Sequence, residues 1–199
     1  MSGTFPTDQK PSSIRVQDNR PTLMNHAASG RRVVRAYGSQ YWTLSVTMPP
    51  LNQTDAQEVF SFLQKQRNSF ESFVFTYPID NLGAEATSGK TVSGAHSVGD
   101  STIDLTGFSA STTGVFKAGD YIRFFNADKV YMITEDADSD ASGNTTVTIS
   151  PSLVEALSDT QGVDATKPDF TVYLTGDVTY SIDTAGFYYI SFELREVIE

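Results

Sequence analysis

Gln40-Tyr-Trp-Thr-Leu-Ser-Val-Thr-Met48, closed by Pro49-Pro50, is the stretch whose reading decides the fold. Trp42, Leu44, Val46 and Met48 fall on one side and Tyr41, Thr43, Ser45 and Thr47 on the other, the period of two expected of a half-buried antiparallel strand. The two prolines end it, because proline cannot donate to a ladder. Upstream, Gly38 reads as the turn of a hairpin whose first strand is Arg32 to Tyr37. Downstream, Ala56, Val59, Phe60 and Leu63 recur at helical spacing, and Thr54 with Gln57 three residues on fits a capping box. This helix is expected to end near Asn68, after Lys65 and Arg67, whose charge suits a helix C-terminus. A strand from Phe70 to Tyr77 follows, with Phe73, Phe75 and Tyr77 on one side. A final hairpin, Val178 to Ile182 and Phe187 to Val197, turns at Asp183-Thr-Ala-Gly186. The expected core is Trp42, Leu44, Val46, Val59, Phe60, Leu63, Phe73, Phe75, Ile190 and Phe192.

Composition changes at Asp80. From there to Gly176 the chain is acidic, rich in Gly, Ser and Thr, and broken into short strands at 90–95, 101–105, 120–125, 129–135, 144–150 and 170–174. That spacing predicts a small β-barrel or sandwich. Residues 80–176 therefore read as a domain inserted into a discontinuous host made of 31–79 and 177–199. Residues 1–30, interrupted by Pro6, Pro11 and Pro21, read as an extended N-terminal arm with a short strand near Ile14 to Val16. The fold class expected is mainly β with one amphipathic helix, α+β, in a chain of 199 residues of which 39% are hydrophobic.

Candidates for chemistry are few. Zero cysteines exclude disulfides, thiolate zinc sites and cysteine nucleophiles, and there are only two histidines. His26 and His96 lie far apart with no acidic neighbour in sequence, so a dyad has no local support. Asp136, Asp138 and Asp140 alternate as calcium ligands do. However, Ala141 and Val147 stand where an EF-hand loop needs Gly and Glu, and a solvated hairpin tip is the favoured reading. Ser88-Gly-Lys90 is not followed by a helix and reads as a loop, and Ser93 lacks the context of a nucleophile elbow. No stretch reaches the length of a membrane span, and the start lacks the apolar core of a signal peptide, so a soluble protein made in a cytosol is expected. No enzyme, no cofactor and no resident metal are expected. The aromatic runs Phe124-Phe125, Phe187-Tyr188-Tyr189 and Phe73 to Tyr77 suit core packing and subunit contact, with sugar binding as the alternative.

Charge is polarised along the chain. Residues 1–40 carry six bases against two acids, and residues 80–177 carry fifteen acids against five bases, within a total of −10. A basic segment on an acidic body suits docking on a neighbouring subunit. It has neither a basic run nor interleaved aromatic residues for stacking bases, so specific nucleic-acid binding is not expected.

Gly30 to Arg35, Tyr41 to Met48, Ala56-Gln-Glu-Val-Phe-Ser-Phe-Leu63 and Ser72-Phe-Val-Phe-Thr-Tyr-Pro78 together resemble the minor tail and distal tail proteins of long-tailed bacteriophages. Lys117-Ala-Gly-Asp-Tyr-Ile122 and Val147-Thr-Ile-Ser-Pro151 resemble modules inserted in phage tail proteins. A glycine often follows the helix in such proteins, where this chain has Gln66-Arg67-Asn68. The resemblance implies a tail-tube-like β-sandwich or split barrel assembled as a homohexameric ring at the distal end of the tail tube or baseplate. Its partners would be further copies of itself, the tail tube protein, and hub, baseplate or fibre proteins. It would be assembled in the host cytoplasm and located in the virion tail, with genome DNA passing through its lumen. Arg31, Arg32, Arg35 and Tyr41 are the expected subunit-interface residues. A receptor- or glycan-binding module at the tail tip is the alternative.

Overall fold

The computed structural model describes residues 3–6, 8–83, 85, 89–164 and 166–198. The fold is mainly β with one α-helix among the described residues. The chain divides into two compact units, one running up to Phe73 and resuming at Val172–Ile198, the other Val74–Thr171. Ser88, of the Ser88-Gly-Lys90 stretch read as a loop, lies outside the described residues.

The first unit contains strands β1 (Ser13–Asn19), β2 (Thr22–His26), β3 (Arg32–Ala36) and β4 (Tyr41–Thr47), then helix α1 (Gln53–Lys65) and a single 3-10 turn at Asn68–Phe70. Strand β5 (Phe73–Thr76) leaves this unit. The second unit follows with β6 (Thr91–Val92), β7 (Thr102–Thr106), β8 (Tyr121–Phe124), β9 (Val130–Ile133), β10 (Asn144–Ser150) and β11 (Val163–Asp164). Strand β12 (Asp169–Leu174) returns the chain, and β13 (Thr179–Ile182) and β14 (Tyr188–Glu196) complete it.

The main sheet runs β1-β4-β14-β12-β5, with β13 also paired to β14. Trp42, Leu44, Val46 and Met48 are all buried, as are Ile190, Phe192 and Leu194 of β14. The register explains why they form one surface: Leu194 stands opposite Leu44 and Phe192 opposite Val46. Ala56, Val59 and Leu63 are the buried stripe of α1, which packs over β14. Phe60 differs from the expected core: it is half-buried and lies edge-on to Tyr180, 4.8 Å between ring centroids. Phe5 takes a core place instead, 5.6 Å from Phe192 and 5.9 Å from Phe62.

Several boundaries also differ from the sequence reading. The helix cap is Asn52, whose side-chain oxygen accepts the Asp55 N–H at 3.0 Å, rather than Thr54. The helix stops at Lys65 because Arg67 and Asn68 turn left-handed, at φ 52° and 57°. This is where glycine would carry no steric cost. The next strand begins at Phe73, leaving Phe70 79% exposed. In the N-terminal segment the strand expected near Ile14 to Val16 is present but longer, since β1 pairs along its length with β4, from Ser13 opposite Thr47 to Asn19 opposite Tyr41, and so joins the main sheet. Gly38 does not turn a hairpin between β3 and β4. Strand β3 pairs with β2 in a separate two-stranded ribbon. Finally, Phe170–Leu174 is not confined to the insertion: β12 runs across the boundary at Thr171/Val172 and lies between β14 and β5 in the main sheet, with Leu174 opposite Leu194.

The second unit is a six-stranded antiparallel barrel in the order β11-β8-β9-β10-β7-β6. Its ends meet: Val92 N–H donates to the Gln161 carbonyl and Thr160 N–H to the Val92 carbonyl, both at 2.9 Å, which closes the sheet and removes its edges. Strands β8, β9 and β10 follow as neighbours while β7 lies beside β10, a Greek-key order. Its core is its own, with Val92, Ile103, Leu105, Phe116, Ile122, Phe124, Tyr131, Ile133, Val147, Ile149 and Val163 in one cluster. The two-residue strand β11 had no periodic signature to announce it.

The Lys117-Ala-Gly-Asp120 turn is held by Asp120, which is 2% exposed. Its carboxylate accepts the N–H of Lys117 at 2.8 Å, Leu82 at 2.7 Å and Gly83 at 3.0 Å. Asn81 continues the clamp with a reciprocal pair to the backbone of Tyr121. Gly83 passes so close that a Cβ there would sit 2.2 Å from the Val115 carbonyl oxygen. The acidic motif thus fastens the entering chain to the barrel.

Candidate functional site

The ribbon β2–β3 is the feature that packing does not explain. Leu23 stands opposite Arg35, Met24 opposite Val34, Asn25 opposite Val33 and His26 opposite Arg32. Cross-strand partners share a face, so Met24 and Val34 mark one face while Leu23 and Val33 mark the other. All ten strand residues are exposed, with Leu23 at 63%, Met24 at 59%, Val33 at 55% and Val34 at 46%. The tip is a tight turn in which Gly30 adopts φ 79° and Ala27 bonds both Gly30 and Arg31. At the base, Tyr37 N–H donates to the Pro21 carbonyl.

Residues 20–37 carry Arg20, Arg31, Arg32 and Arg35 and no acid. Arg20 pairs with Asp18 at 2.7 Å, and the other three arginines are exposed. The structure therefore brings Arg31, Arg32 and Arg35 together on one ribbon. Tyr41 belongs elsewhere: it is half-buried in β4, with the Arg195 guanidinium 3.8 Å from its ring centroid. Sequence reasoning missed Leu23, Met24, Val33 and Val34. The signal was present in two short runs flanking Ala27-Ala-Ser-Gly30, masked by the composition of the segment around them.

The three alternating aspartates do not converge. Asp136 pairs with Lys117 at 2.7 Å, and this bond holds its carboxyl below the usual range while raising the lysine. Asp138 accepts the Gly114 N–H at 2.6 Å. Asp140 accepts the N–H groups of Asn144 and Ser142, which lower its pKa and shape the turn into β10. The segment is also not a free solvated tip, because Ala137 and Ser139 between them are buried and Ala137 bridges to Phe116. Among the described residues no group of three or more acidic or histidine side chains is arranged to hold a metal. His96 Nε2 accepts the Asp104 N–H at 3.2 Å, a structural use, and His26 sits on the ribbon. No helix among the described residues is long and apolar enough to cross a membrane.

The aromatic runs separate by strand parity. Phe124 is fully buried and Phe125 is 49% exposed. Phe187 and Tyr189 are exposed at 44% and 43%, and the Tyr189 hydroxyl donates to Asp183. No known family model matches the chain, and no curated protein matches it either.

Proposed function

We propose that the chain is a non-enzymatic structural subunit of a bacteriophage tail, one copy in a homo-oligomeric ring, six by the resemblance described above, at the distal end of the tail tube. The observation that carries this reading is the β2–β3 ribbon. A two-stranded ribbon has too little buried surface to be stable alone, and one with bulky apolar residues on both faces gains most by lying against another surface. Its charge specifies the kind of surface. Four arginines and no acid on residues 20–37 complement a chain whose total is −10. A second copy offers that acidic surface, and copies that each reach to the next form a ring when the rotation between them closes. The strand, helix and aromatic-strand pattern that resembles tail proteins supplies the class of assembly.

The test is the mass and shape of the full chain in solution. Light scattering and negative-stain electron microscopy are expected to find closed rings with a lumen. The double substitution Met24→Asp and Val33→Asp, one change on each ribbon face, is expected to leave a folded monomer with unchanged circular dichroism. A wild-type chain that stays monomeric at all concentrations, or a ribbon variant that forms the same rings, overturns the reading. Loss of the variant chain from phage tails, with particles otherwise made, is the expected outcome in the virion.

A further inference from the structure

We propose that the outer face of the barrel around Phe125 is a binding site for a neutral saccharide. The site is built by strand parity. Phe124 points into the barrel, so Phe125, the next residue, lies outside it. Phe125 N–H donates to the Gly162 carbonyl at 2.8 Å, and Gly162 in turn bridges to Thr91 at the seam where the barrel closes. The ring lies down over this glycine: a Cβ on Gly162 would stand 2.3 Å from Phe125 Cδ2 and 2.7 Å from Cε2. The Gln161 side-chain amide donates to the Phe125 carbonyl and fixes the backbone beneath the ring. The result is a flat aromatic platform, half open to solvent and held in one place.

Around it runs a cleft of about 440 Å³ with Lys90, Thr91, Asp164 and Thr166 among its lining residues. This falls within the roughly 300–1,000 Å³ of small-ligand clefts. Asp164 stands opposite Arg123 on the neighbouring strand, and burial with the charge of Asp169 raises its carboxyl above the usual range.

The lining selects the ligand. A saccharide lays a C–H face on the negatively charged face of an aromatic ring and directs hydroxyls to carboxylate, hydroxyl and backbone groups at its edge. Anions are disfavoured by the fifteen acids against five bases of residues 80–177. The charges at the cleft itself are matched in sign, since the Lys90 ammonium is bound to Glu85 at 2.9 Å and Asp164 stands opposite Arg123. A neutral, hydroxyl-rich ligand needs no counter-charge from such a lining. This inference is independent of the ring reading, since a ring subunit need not bind sugar and a sugar-binding chain need not form rings.

The full chain would be probed on an array of neutral oligosaccharides built from glucose, galactose, mannose and N-acetylglucosamine. The strongest binder would then be titrated by ¹H–¹⁵N nuclear magnetic resonance. Binding of at least one oligosaccharide is expected, with the largest shifts at the amides of Thr91, Gly162 and Asp164. Phe125→Ala should weaken binding at least tenfold, whereas Phe125→Tyr should retain it. No binding to any of these glycans overturns the proposal, as do shifts confined to another face or equal affinity in Phe125→Ala. The shift map needs no variant, so it decides the matter even where Phe125→Ala fails to fold.

Discussion

Gln40 is a residue at which the molecule departs from the rule that buried polar groups are hydrogen-bonded. Its side chain is 7% exposed, and neither the amide oxygen nor the amide nitrogen has a hydrogen-bond partner. An unpaired buried polar group costs about 1–3 kcal/mol. Gln40→Met keeps the length and removes both polar atoms, so it should raise the urea midpoint, by about 1 kcal/mol or more in unfolding free energy. A lowered midpoint would mean that the amide is bonded after all. Two positions on, Trp42 shows the opposite case. It is 3% exposed on the face that β4 shares with Leu44 and Val46. Trp42→Ala should cost about 3–5 kcal/mol, as large-to-small changes in cores do. Since Trp42 is the sole tryptophan, the measurement is a denaturation curve followed by circular dichroism.

At the scale of elements, the helix gives a clean discrimination between two readings of its start. Thr54 and Gln57 satisfy the capping-box spacing, yet Asn52 is the residue whose oxygen takes the Asp55 N–H, while its amide donates to the Asp55 carboxylate at 2.8 Å. Asn52→Ala should lose about 0.5–2 kcal/mol and Thr54→Ala a few tenths at most. A larger loss for Thr54→Ala than for Asn52→Ala would show that Thr54 is the cap and that the helix begins two residues later. The same comparison explains what could be read from sequence. Periodicity is local, so β4, β14, the buried stripe of α1 and the repeated short strands of the barrel were legible as alternation or helical spacing. Pairing is not local. Nothing in Arg32–Ala36 says that it joins Thr22–His26 rather than β4, and the decisive turn is at Gly30, with Gly38 only approaching Pro21 at the ribbon base. Exposure of an apolar strand is equally invisible, because Leu23, Met24, Val33 and Val34 read like any short core strands until the space around them is known. The candidate site was therefore legible in its charge, through Arg31, Arg32 and Arg35, and illegible in its apolar half.

At the scale of the whole molecule, the question is where one folding unit stops. Composition places the inserted domain at 80–176, but the strand that returns from it, β12, is shared with the main sheet between β14 and β5. Removing 80–176 would therefore take out an interior strand, leaving β14 without its β12 neighbour and β5 cut off from the sheet, and removing the buried Val172 and Leu174. A cut inside the strands' far ends avoids this. Thr76 and Asp169 are joined by a side-chain hydrogen bond of 2.5 Å, so the chain leaves and returns at one point, and a short linker there costs little closure entropy. Two deletions test the boundary. Replacing 77–168 by a four-residue Gly/Ser linker should give a soluble protein with a cooperative thermal transition. Replacing 80–176 in the same way should give a chain without one. The excised barrel, residues 74–171, should also fold alone, because its core cluster draws only on residues between Val92 and Val163. Cooperative unfolding of the 80–176 deletion would show that β12 is dispensable to the sheet, and failure of the 74–171 fragment to fold would show that the barrel depends on the unit that carries it.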